Sequence, residues 1–102
     1  MKEKEFFIKR SDLKKVISTE LGSAIVSDAI MVDGKPVGHM ERIEGLDSHP
    51  DFSGWTFIAG DESQDYLDSP FNSGIYNLNT VANYDERIVG HLEAAVGTSI
   101  DL

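Results

Sequence analysis

Hydrophobic positions change their period several times along the chain, and each change marks an element. Leu13, Val16, Ile17 and Leu21 recur at helical spacing, with Ser11 or Asp12 in front as a cap and Gly22 as a stop, which predicts a helix from Ser11 to Leu21. In "AIVSDAIMVDGKPVGHMERIE" the pair Asp33-Gly34 separates two apolar runs, the pattern of a β-hairpin whose turn needs positive φ. Pro36 cannot donate to a ladder and belongs at a strand's start or on an edge. After the turn-rich loop "GLDSHPDFSG", the stretch "GWTFIAG" alternates as a central strand, with Trp55, Phe57 and Ala59 on one face and Thr56 and Ile58 on the other.

Alternation stops at Gly60. "DESQDYLDSP" predicts a short helix with Asp61 and Glu62 in its first turn, where carboxylates complement the helix dipole, and Pro70 as its end. "GIYNLNTVANY" fits a brief strand around Ile75 to Leu78 followed by loop or helix. Asp85 is a good cap for "ERIVGHLEAA", whose Ile88, Val89 and Leu92 form a helical stripe, and "VGTSIDL" fits an edge strand. Together these elements predict an α+β fold: one domain, with two to four helices packed on a small, mostly antiparallel sheet.

Charge alters this picture more than composition does. At 102 residues the chain suits one core. Its net charge is −9, divided as +2 over residues 1–20 and −11 over residues 21–102. An acidic body repels phosphate backbones and anionic lipid, so nucleic acid and membrane surfaces are not expected partners, while a basic protein is. There are no cysteines, hence no disulfides and no thiolate chemistry. No stretch has the apolar length of a signal peptide core or a membrane span, so the expected location is the cytoplasm.

Candidate chemistry centres on Asp61-Glu62. Adjacent carboxylates at an exposed helix start receive similar solvation, whereas a working acid and base need environments that push their pKa values apart. Three readings stand: punctuation of the helix start, an acidic patch for a partner, or a small hydrolase using this pair. Asp65 and Asp68 extend the acids along the predicted helix, and Tyr66 and Trp55 are aromatics able to serve either core or interface. No calcium loop is present. His39, His49 and His91 lack metal-ligand spacing, and neither a nucleophile elbow nor a phosphate-binding glycine loop occurs, so no metal and no cofactor is expected. The candidate partner-binding set is Trp55, Asp61, Glu62, Asp65, Tyr66 and Asp68.

The succession Val37-Gly38-His39-Met40-Glu41-Arg42, Ser53-Gly54-Trp55-x-Phe57, Gly60-Asp61-Glu62 with Tyr66-Leu67, Ile75-Tyr76-x-Leu78-Asn79-Thr80, Asn83-Tyr84-Asp85 and Val96-Gly97 resembles the bacterial immunity protein 33 domain family, earlier known as a domain of unknown function. The likeness spans residues 23–102 and leaves residues 1–22 as an N-terminal helical extension packed on the domain. It implies a non-enzymatic cytoplasmic protein that binds and blocks a bacterial toxin, without a cofactor and without binding residues that carry over. The alternative is an accessory or regulatory domain acting through homodimerisation, with the oligomeric state, monomer or homodimer, left open.

Overall fold

Strand β3, Phe52–Ile58, forms the middle of the sheet, as its alternating pattern predicts. In the computed structural model, which describes residues 4–17, 21–45 and 48–102, five strands lie in the order β4-β1-β3-β2-β5. The others are β1 (Ser23–Ser27), β2 (His39–Arg42), β4 (Ser73–Asn77) and β5 (Ser99–Asp101). Only β1 and β3 are parallel; the remaining three pairings are antiparallel. The fold is α+β with a mostly antiparallel sheet, and β5 is an edge strand, both as expected.

Three short α-helices accompany the sheet: α1 (Asp28–Met31), α2 (Gln64–Asp68) and α3 (Leu78–Tyr84). Both α1 and α3 follow directly from a strand and are started the same way. The Ser27 hydroxyl accepts the Ala29 N–H at 3.2 Å, and the Asn77 carboxamide accepts the Asn79 N–H at 2.8 Å. Such a cap satisfies one of the N–H groups a helix start leaves unpaired. A 3-10 turn at Glu86–His91 is capped by Asp85, as predicted, although it winds more tightly than the expected α-helix. Ile88 and Leu92 enter the core, whereas Val89 stays 37% exposed.

These helical pieces cover the sheet face that carries Ala24, Val26, Met40, Trp55 and Phe57. Trp55 is fully buried, stacks near Phe57 and donates its indole N–H to Leu92 O at 2.9 Å. Burying an aromatic of this size contributes on the order of 2–3 kcal/mol, and its one polar atom is satisfied. The alternate positions Ile25, Thr56, Glu41 and Ser99 line up across the other face, which is only partly covered.

Two expected elements do not form. Asp33-Gly34 is no hairpin turn, because β1 and β2 are separated by β3 and α1 fills the space where the first hairpin strand was expected to continue. Gly34 does have positive φ, at 77°, but as the stop of α1: its N–H bonds Ile30 O, and Lys35 N–H bonds Ala29 O. Helix ends and hairpin turns demand the same left-handed glycine, so the pair alone does not separate them.

The helix expected from Ser11 to Leu21 is absent from its described part. Residues Arg10–Asp12 make one 3-10 turn, and the chain then runs extended at Leu13. The N–H groups of Lys14, Val16 and Ile17 bond the side chains of Asn79 and Asn83 on α3, so they are not available for helical bonds. Residues 18–20 of that expected helix lie outside the described residues.

Candidate functional site

Beyond Ile58 the chain leaves the sheet at Gly60, whose φ is 103°, and Glu62 folds back on it. Oε2 accepts the Ala59 N–H at 2.9 Å and Oε1 the Gly60 N–H at 2.7 Å. Burial opposes ionisation of this carboxyl, but the Ser27 hydroxyl and these backbone donors outweigh it and hold its pKa below the usual value. Asp61 points outward and accepts from Lys35 Nζ at 2.6 Å, a hydrogen bond that lowers its pKa and raises that of the lysine. The acid pair is therefore punctuation, but of the strand end. The helix starts later, with Ser63 as the cap that accepts the Tyr66 N–H at 3.1 Å.

Asp65 and Asp68 are exposed on α2, with Gln64 Nε2 donating to Asp68 at 2.8 Å. Tyr66 turns inward, half-buried. Its phenol is raised in pKa by burial first, then by the charges of Asp28 and Asp33, and also of Glu62; the neighbouring Ser27 hydroxyl partly opposes them. Thus α2, the start of α1 and Asp33 just past its end place carboxylates around one tyrosine, with Asp28 paired to Lys4 at 3.0 Å. Asp28 and Asp33, distant in sequence from Asp61, went unnoticed as members of this acidic rim.

Phe71 also escaped sequence reasoning. It follows Pro70 in a 3-10 turn and is 71% exposed, next to the partly exposed Leu67. Asn72 Nδ2 ties this turn to α2 by donating to Tyr66 O at 3.0 Å. The visible signal was an aromatic placed in the polar, turn-forming run Asp68-Ser69-Pro70-Phe71-Asn72. Trp55, in contrast, leaves the candidate set: alternation on β3 places it on the covered face, and no partner can reach it without opening the core.

A second constellation tests the enzymatic reading. On β2 and β5, His39 Nδ1 meets Asp101 Oδ1 at 2.6 Å, and Ser99 Oγ lies 3.2 Å from His39 Nε2. This is the order of a serine, histidine and carboxylate relay. A working relay, however, holds its carboxylate buried and aims hydrogen-bond donors at a developing oxyanion. The Asp101 side chain is 90% exposed, and the three groups stand on the open sheet surface. Among the described residues, neither Asp61 nor Glu62 forms a hydrogen bond or ion pair with a histidine, and no group of three or more histidines and carboxylates could hold a metal. No helix among them is long and apolar enough to cross a membrane.

Fold and surface together define a small α+β domain with exposed carboxylates on α2 and an exposed aromatic at Phe71. A family model described as the Immunity protein Imm33 domain matches residues 24–102, and the chain belongs to that family. No curated protein and no solved structure matches it. Family membership supports an immunity-type role and a toxin protein as the kind of partner, and it points away from catalysis.

Proposed function

We propose that the protein acts in the cytoplasm as a non-enzymatic immunity protein, neutralising a bacterial toxin by direct binding through the α2 edge. The observation that carries this reading is Phe71, an aromatic 71% exposed beside the carboxylates of α2, in a chain whose family is that of immunity proteins. Exposed aromatics ringed by polar groups are common energetic anchors of protein interfaces. Asp65 and Asp68, with Glu62 bracing the loop before them and Asp61 paired to Lys35, supply a negative field that draws in a basic surface and speeds association. Tyr66, half-buried, supports the rim from within.

The test is co-expression with candidate toxins, beginning with any encoded beside the gene for this chain. Cells survive with the wild type, and protection is lost with Phe71→Ala combined with Asp65→Lys and Asp68→Lys, while the variant remains folded by the emission of Trp55. Full protection by the triple variant would place the interface elsewhere.

A further inference from the structure

Residues 4–17, ahead of the family match, cross α3 as an arm broken by the 3-10 turn at Arg10–Asp12, and α3 holds that arm by its main chain. Asn83 Oδ1 accepts the Lys14 N–H at 2.8 Å, and its Nδ2 donates to Lys14 O at 2.8 Å. Asn79 Oδ1 accepts the N–H groups of both Val16 (2.7 Å) and Ile17 (2.9 Å), while its Nδ2 donates to Lys14 O at 2.9 Å. Farther along, the Tyr84 hydroxyl accepts the Ile8 N–H at 3.0 Å and donates to Met31 O at 3.1 Å. Among the described residues, each hydrogen bond between α3 and the arm ends on an arm backbone atom. Such a ladder of side-chain groups reads an extended peptide without reading its sequence.

The arm also packs on the body: Phe6 meets Tyr76 edge-on at 5.6 Å, and Val16 and Ile17 lie against the core, with open clefts beside them. One open cleft, of about 210 Å³, is lined by Phe6, Ile8 and Leu13 of the arm and Met31, Tyr76 and Tyr84 of the body. A second, of about 350 Å³, is lined by Val16 and Ile17 together with Val89 and Leu92. Between these contacts the arm is held by directed hydrogen bonds to its main chain, over a groove that its side chains fill only in part. Charge agrees: residues 1–20 carry +2 and the rest −11, and Lys4 of the arm pairs with Asp28 at 3.0 Å.

We infer that the face of α3 bearing Asn79, Asn83 and Tyr84 is a peptide-docking groove occupied in cis by the arm. Its partner in trans is an extended protein segment in which basic residues flank apolar ones, and that segment binds by displacing the arm. Asn79, Asn83 and Tyr84 are not among the α2-edge residues Asp65, Asp68 and Phe71, and the arm meets the acidic rim through Lys4 at Asp28, so the two readings are tested by different substitutions.

The probe is a fluorescent synthetic peptide of residues 4–17, titrated into the full chain and followed by anisotropy. Lys14→Pro with Val16→Pro removes two arm donors and leaves the groove intact. Because apparent affinity scales with the fraction of empty groove, this chain binds the peptide about tenfold or more tightly than wild type does. Adding Asn79→Ala and Asn83→Ala reverses the gain, and a peptide with Lys9, Arg10, Lys14 and Lys15 changed to glutamate binds at least about tenfold more weakly at low salt. Equal peptide affinity in the wild-type and arm-weakened chains, or affinity indifferent to Asn79 and Asn83, overturns the proposal. Should Trp55 emission reveal that the proline variant is unfolded, hydrogen exchange on the wild-type chain decides. With excess peptide, the Lys14, Val16 and Ile17 amides lose protection if the arm is displaced; unchanged protection refutes it.

Discussion

Asp85→Ala removes the carboxylate that fastens the 3-10 turn to the lead-in of β2. Oδ2 accepts the N–H of Val37 at 3.1 Å, Oδ1 the N–H of Arg87 at 3.1 Å, and both oxygens bond the Arg87 guanidinium, at 2.9 and 2.6 Å. Val37 is buried, so its N–H would be left without a partner, at a cost of about 1–3 kcal/mol. Loss of the cap at Arg87 adds about 1 kcal/mol. The ion pair itself adds little, since the arginine is exposed and keeps its bond to Val37 O. The sum is about 2–4 kcal/mol, or a fall in Tm of roughly 10–25 °C for a domain of this size. Urea unfolding followed by the emission of buried Trp55 measures it. Asp85→Asn, which retains one acceptor, should fall between the two. The pKa of Asp85 is lowered, chiefly by its hydrogen bond to Arg87 against the opposing effect of burial. A lowered carboxyl contributes stability that is present above its unfolded value of about 3.9 and is lost as pH drops through the folded value. Wild type therefore loses stability below about pH 4 more steeply than Asp85→Ala does. A cost under about 1 kcal/mol, or identical acid profiles, would refute the reasoning.

Other consequences follow from the same geometry. Glu62→Ala frees the N–H groups of Ala59 and Gly60 and should cost about 1–2 kcal/mol by urea unfolding, with raised hydrogen exchange along α2; unchanged exchange would argue against the brace. Gly54 sits at φ 94°, and a β-carbon there would run into Ile43 O, so Gly54→Ala should destabilise by about 3 kcal/mol, checked by thermal unfolding. The Tyr66 phenol is raised, so its contribution holds below the unfolded value of about 10 and fades as pH climbs through the folded one. Tyr66→Phe should flatten that alkaline loss, read from stability at successive pH values.

What the sequence disclosed was local, and what it hid was tertiary. Strand β3, the edge strand β5 and the Asp85 cap each depend on neighbours a few residues away, and alternation or capping chemistry reveals them. Helix α1 is a single turn of four residues, too short for a periodic stripe, so its apolar residues read as strand. The arm carries a genuine helical pattern, but acceptors on α3, more than sixty residues away, take the N–H groups a helix would use. Glu62 was misplaced by a subtler competition, because its carboxylate bonds backward to the strand end and leaves Ser63 to start the helix. Acidity of the candidate site was legible from composition; its assembly from Asp28, Asp33 and α2 around Tyr66 required the chain to be folded.

The most direct measurement is the association rate of the purified chain with a toxin domain from which it protects cells, taken across salt. Between about 0.01 M and about 1 M ionic strength the screening length shrinks from about 30 Å to about 3 Å. If the α2 edge steers a basic partner, the rate falls steeply over that range, and Asp65→Lys with Asp68→Lys flattens the dependence while leaving unfolding unchanged. A rate that is insensitive to salt, or equally steep in the charge-reversed variant, would contradict that steering.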